Sequence, residues 1–275
     1  MRISKQHLIT TIMVAALLVL AFVPVTGTEA DPEAELTYEI KATNARLNRL
    51  VGKPVTEYVQ GIPAEPVHSF VWDGNGSNFL EDAEAKVEID PVSNTGEIKV
   101  EWTDLDGNEW ELEQTVFLPL PPHPTGLRAT SLEETEFVQD DPVPVDVYLH
   151  GDTTAGGPVL PTIFNNLATW GPAEVTLNGE AFENPYDGPV PLWVTHTMLT
   201  AGVRNDDGAV TVNGGTIYNP TLRDQPGDID YDDMEYHVIF HDAPGPGATE
   251  NFPPPLSFFY HLTFESVKVE IRAGE

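Results

Sequence analysis

Six side chains in the second half of the chain are candidate transition-metal ligands: His150, His196, Met198, His237, His241 and His261. Imidazole nitrogen suits zinc, copper, iron or nickel, and a thioether in the same set tilts the choice toward copper. Spacing decides which of them can act together. His237, Ile239 and His241 alternate with Tyr236, Val238 and Phe240, the two-residue period of a strand. In the next apolar run, Phe258, Tyr260, Leu262 and Phe264 share one face, opposite Phe259, His261 and Thr263. Matching the two aromatic faces in an antiparallel hairpin sets Phe240 against Phe258, Val238 against Tyr260 and Tyr236 against Leu262. His237 then falls directly across from His261. Opposed Cβ atoms lie about 4.5–5.5 Å apart, so two imidazoles can converge on one ion. His237 and His241, about 13 Å apart along a strand, cannot do so by themselves. His196, on one face with Val194 and Met198, offers a third nitrogen, and His150, at a strand end beside Asp152, offers another. Asp242 is placed to orient a ring from outside the ligand set. A cross-strand histidine pair can also serve simply as hydrogen-bonded filling within a sheet.

The elements that must position these residues read as β-strands. The chain has 25 prolines and 22 glycines punctuating short alternating runs. Residues 85–89, 97–103 and 109–117 form a meander, with Asp106-Gly107 as a turn signal. Residues 118–144 are rich in breakers and read as a linker or crossover. Further strands are expected at 143–149, 173–177, 192–200, 209–212, 235–240 and 256–271. Asn178-Gly179, Asp207-Gly208 and Asn213-Gly214 supply turns. One short helix is expected near residues 161–170: Pro161 sits at a first-turn position, Leu160, Ile163, Phe164, Leu167 and Ala168 keep helical spacing, and Gly171 stops it. The expected fold is all-β, an antiparallel β-sandwich built as one unit or as two stacked units. Residues 31–125 form an N-terminal β region, and residues 143–275 form a sandwich carrying the histidine cluster.

Residues 1–30 have a basic start, an apolar run from Leu8 to Val23 and small residues at Thr28 and Ala30, the pattern of a secretory signal peptide. The alternative is an uncleaved anchor; either places the remainder outside the cytoplasm, in the periplasm, at the cell surface or in the medium. The chain has no cysteine, which excludes thiolate chemistry and blue-copper ligation. A formal charge of −31, from 44 acidic and 13 basic residues, argues against nucleic acid and anionic lipid as partners and favours cations. Oxygen residues Asp73, Asn75, Ser77, Glu81 and Glu84 recur at the spacing of a twelve-residue calcium loop, although Asn78 stands where glycine is expected. No Gly-x-Ser-x-Gly, His-Glu-x-x-His or phosphate-binding glycine loop occurs.

These features lead to an expected exported, non-catalytic protein binding copper or zinc, with His237 and His261 as core ligands and His196, His241, His150 and Met198 around them. Two other classes fit the same sequence. One is an extracellular module binding carbohydrate or another protein, calcium-stabilised, with Trp72, Trp170, Tyr186 and Tyr218 as stacking surface. The other is a metal-dependent hydrolase.

Overall fold

The computed structural model describes residues 36–52, 58–59, 62–63, 79–119, 141–150, 160–186, 193–205, 207–219, 227–242 and 256–273. The candidate signal segment, residues 1–30, lies outside them, as do Asp73, Asn75, Ser77 and most of the expected linker. The strands are β1 (Leu36–Val51), β2 (Tyr58–Val59), β3 (Ile62–Pro63), β4 (Phe79–Asp90), β5 (Thr95–Thr103), β6 (Glu109–Gln114), β7 (Val145–Leu149), β8 (Ile163–Leu177), β9 (Glu180–Ala181), β10 (Trp193–Gly202), β11 (Thr211–Val212), β12 (Thr216–Ile217), β13 (Asp230–His241) and β14 (Phe258–Ala273).

The all-β expectation holds, but the sandwich does not: eight strands close into a barrel. Their order around the wall is β1, β4, β5, β6, β8, β10, β13 and β14, which is also their order along the chain, and every pairing is antiparallel. Two long strands make closure possible. β14 runs back along β1 from Leu36↔Ala273 to Val51↔Phe258, which removes the free edges a sandwich would keep. β8 has 15 residues and pairs with β10 on one side and with β6 and β7 on the other. Both halves of the sequence therefore contribute to one wall, and residues Ala34–Glu275 form one compact unit.

The expected helix at residues 161–170 is instead the first half of β8. Its apolar residues serve both faces of the wall. Leu167, Ala173 and Val175 point into the barrel, while Ile163, Ala168 and Trp170 pack outside. Two interleaved period-two sets give the three-and-four spacing of a helix. Gly171 does not end the element. The chain passes so close to β8 there that a Cβ on Gly171 would lie 2.1 Å from the Val116 carbonyl oxygen. β1 was not anticipated at all. Tyr38, Ile40 and Ala42 face inward, but a bulge at Asn44 (φ 60°) shifts the inward set to Ala45 and Leu47 and breaks the alternation. Asn178-Gly179 (φ 53° and 78°) and Asn213-Gly214 (φ 52° and 78°) make the tight β8–β9 and β11–β12 turns, as their sequences require.

Side chains fill the barrel. Trp102 and Trp110 stack at 5.5 Å with planes 7° apart, and Phe240, Phe258, Tyr260, Phe182 and Trp193 continue the aromatic packing. Each fully buried ring contributes about 1.5–3 kcal/mol by leaving water. On the outer face of β4 and β5, Glu84, Lys86, Lys99 and Glu101 meet solvent and form ion pairs, a polarity opposite to that of a lipid-spanning barrel. The outer face of β8, β10, β13 and β14 differs: a second apolar layer buries it. Val147, Leu149, Leu160, Val203, Val210, Val212 and Tyr218 cover Ala168, Trp170, Met198, Ile239 and Phe259. The Tyr218 hydroxyl donates to the Leu160 carbonyl at 3.1 Å and ties this cover together. The histidines lie between wall and cover.

Candidate metal centre

β13 and β14 pair antiparallel with the aromatic face inward, as the sequence implies. The register differs by two residues. Tyr236 opposes Phe264, Val238 opposes Leu262 and Phe240 opposes Tyr260, so His237 lies across from Thr263 and His261 across from Ile239. A two-residue slip keeps every side chain on its face, so the apolar pattern fits both registers equally well. The histidines remain neighbours on the diagonal, with His237 Nδ1 3.0 Å from His261 Nε2.

This pair is committed to hydrogen bonding. His237 Nε2 faces two oxygens, Glu235 Oε2 at 3.1 Å and Thr200 Oγ1 at 3.2 Å, which places the ring proton on Nε2. His237 Nδ1 then accepts from His261 Nε2, and neither facing nitrogen has a lone pair left for an ion. Glu235 also accepts from the Val203 amide at 3.2 Å and lies 3.5 Å from Arg204 Nε, while Arg204 Nη2 donates to Thr263 Oγ1 at 3.0 Å. Burial alone would raise the Glu235 carboxyl, but the Arg204 charge and His237 outweigh it and hold it below its usual range. Burial pulls His237 below the usual imidazole range, with Glu235 opposing. Burial, reinforced by His237 and Arg204, takes His261 well below it. The sequence reading missed Glu235, Arg204 and Thr200. Glu235 was legible, because a carboxylate sharing a buried strand face with His237 requires a partner.

A second group sits beside the first. His150 follows the last residue of β7, and its backbone is left-handed (φ 66°), an uncommon conformation for a residue with a Cβ. Its carbonyl accepts from Thr162 Oγ1 at 3.0 Å, and its Nε2 reaches to 3.1 Å from Met198 Sδ and 3.4 Å from His196 Nε2. The tautomer of His196 is determined by its surroundings. Its Nδ1 lies 2.9 Å from the Thr169 carbonyl, which can only accept, so Nδ1 carries the proton and Nε2 presents a lone pair. Trp170 stacks on this ring at 4.5 Å and 9°, which restricts its rotation. Burial, then the neighbouring His150, keeps His196 well below the usual imidazole range, so it is neutral. Exposure is 3% for His150, 7% for His196 and 0% for Met198.

With its proton on Nε2, His150 can hydrogen-bond His196 Nε2 at 3.4 Å; with Nε2 bare, the same separation suits a shared ion. An ion about 2.0–2.1 Å from each of two nitrogens holds them about 3.3–3.6 Å apart at tetrahedral to trigonal angles. Among the described residues, no group of three or more His, Asp or Glu side chains is gathered to hold a metal ion. The three donors that do come together are two imidazoles and a thioether.

The other expected site residues lie elsewhere. His241 stacks on Phe259 and donates from Nδ1 to the Asp242 carbonyl at 2.6 Å. The Asp242 side chain orients no histidine; it accepts from the Ser257 amide at 3.1 Å and from Asn184 Nδ2 at 3.3 Å. Glu81 and Glu84 stand on β4 rather than in a loop. Of the aromatic residues proposed for stacking, Trp170 and Tyr218 are buried, Tyr186 is exposed and Trp72 lies outside the described residues. A groove of about 320 Å³ lined by Asp82, Glu101, Glu109, Glu111, Trp102 and Trp110 contains no histidine. Comparison with protein-family models, curated proteins and solved structures finds no match to this chain.

Proposed function

We propose that this protein is an exported, non-catalytic β-barrel that binds one transition-metal ion, copper or zinc, at His150, His196 and Met198. The single observation behind this reading is the approach of His150 Nε2 to both Met198 Sδ (3.1 Å) and His196 Nε2 (3.4 Å), with the His196 lone pair directed there by the Thr169 carbonyl. Three further features support it. The left-handed backbone at His150 is a local strain of the kind that concentrates at functional sites. Burial keeps His196 well below the usual imidazole range, which favours the neutral ring a metal needs. The formal charge of −31 concentrates cations around the molecule. Export rests on the signal-like pattern of residues 1–30.

The hydrolase alternative needs an open ligand position reached by water and substrate, whereas these donors lie under an apolar cover. Of the rings the carbohydrate alternative would use, Tyr186 is exposed, whereas Trp170 and Tyr218 are buried. The test is calorimetric titration of copper and zinc into chelator-stripped protein, alongside a His150→Ala/His196→Ala double variant checked for fold by circular dichroism. One ion per chain, lost in the variant, is the expected result. Equal binding by both proteins, or by neither, sinks the proposal.

A further inference from the structure

Resting on that reading, we infer that the ion held by His150, His196 and Met198 is copper in its monovalent state rather than a divalent cation. The argument starts from charge. Two imidazoles and a thioether bring no negative charge of their own to a bound cation. The nearby carboxylate of Glu235 is already matched by Arg204 and faces His237. The cost of taking an ion out of water grows with the square of its charge, so a dication costs about four times as much as a monocation of like size. The surroundings are dry and apolar: Leu149, Ala168, Trp170 and Ile239 belong to the same buried cluster as Met198. A divalent ion here would call for an anionic ligand, and among the described residues no group of three or more His, Asp or Glu side chains is gathered to supply one.

Donor chemistry points the same way. Thioether sulfur is a soft ligand that binds monovalent copper well, while hard divalent ions prefer oxygen. Zinc sites are completed by thiolate, carboxylate or further imidazole. The chain has no cysteine, and among the described residues the neighbouring imidazoles, His237 and His261, hydrogen-bond each other. Two nitrogens and one sulfur around a closed-shell ion leave a three-coordinate site with no position required for water, consistent with burial of 0% exposure at Met198. The left-handed turn at His150 and the hydrogen bond from Thr162 to its carbonyl hold the backbone that carries this ring.

The experiment uses the mature protein under anaerobic conditions with ascorbate, competing it for copper(I) against the chromophoric chelator bicinchoninate. Zinc(II) affinity is measured in parallel, and X-ray absorption of the copper-loaded protein reports the ligands. The expected outcome is one copper(I) per chain bound at least 100-fold more tightly than zinc(II), with sulfur among the nearest scatterers. Met198→Leu, close in volume and apolar, is expected to keep the fold and lose at least tenfold in copper(I) affinity with zinc(II) affinity unchanged. Zinc(II) binding equal to or tighter than copper(I), or a nitrogen-only shell, would overturn this inference while leaving metal binding at the two histidines intact. Binding of neither ion would remove both.

Discussion

The buried histidines make the metal-free protein sensitive to mild acid, by an amount that can be worked from their surroundings. Burial, which penalises the imidazolium, holds His196, His237 and His261 below the ordinary imidazole value of about 6.5. In the unfolded chain the same rings regain ordinary pKa values and bind protons as the pH falls through that range. The unfolded state therefore binds more protons, and stability present above pH 6.5 is lost as the pH drops. A ring that stays neutral in the fold costs about 1.4 kcal/mol of stability between pH 7.5 and 5.5, so His196 and His261, both well below the ordinary range, cost about 3 kcal/mol, and His237, opposed by Glu235, adds a smaller amount. That is a large share of the roughly 5–15 kcal/mol that stabilises a domain. Aspartate and glutamate, with unfolded values near 4, contribute little above pH 5.5. Urea unfolding of chelator-treated protein at pH 7.5, 6.5 and 5.5, in about 1 M salt to screen the acidic surface, measures the loss. His196→Gln, whose amide can still donate to the Thr169 carbonyl, should reduce the loss by about 1.4 kcal/mol. An unfolding free energy that changes by less than about 1 kcal/mol across this range would refute the reasoning, because rings desolvated and neutral in the fold cannot avoid the linkage.

Three further outcomes follow from the wall and its supports. Gly171→Ala puts a Cβ 2.1 Å from the Val116 carbonyl oxygen and should cost about 3 kcal/mol, read as a lower melting temperature by circular dichroism. Arg204→Met leaves Glu235 buried without its cation and should cost about 3–5 kcal/mol, while adding Glu235→Leu should recover much of that; denaturant unfolding of the two variants checks it. Trp110→Phe loses the 2.9 Å hydrogen bond from Nε1 to Asp104 Oδ2 and the stack on Trp102, for about 2 kcal/mol. Its far-ultraviolet spectrum should also lose the exciton signal of a stacked indole pair.

Much of the local structure could be read from residue order. The meander of β4, β5 and β6 was visible because Ile98, Val100 and Trp102 alternate cleanly with charged residues, as only a wall with one dry and one wet face demands. Asn178-Gly179 and Asn213-Gly214 form the turns their backbone preferences imply. The histidines were legible as a set, because the strand period put His196 with Met198 and His237 opposite the aromatic face. Where the wall is dry on both sides the same rule failed: β8 imitated a helix. The bulge at Asn44 hid β1 by shifting its phase, and with β1 unseen the closing strand of the barrel was missing.

The sequence by itself determined which face of each strand would be buried, because side-chain alternation is a local property of extended backbone. Tertiary structure alone decided that the strands close into a ring, since that depends on β14 finding β1 across more than two hundred intervening residues. It also decided the β13–β14 register, which a two-residue period leaves ambiguous. Finally, it decided the ligands. His150 and His196 arrive from different strands, and only the fold of the cover onto the wall brings their nitrogens to 3.4 Å.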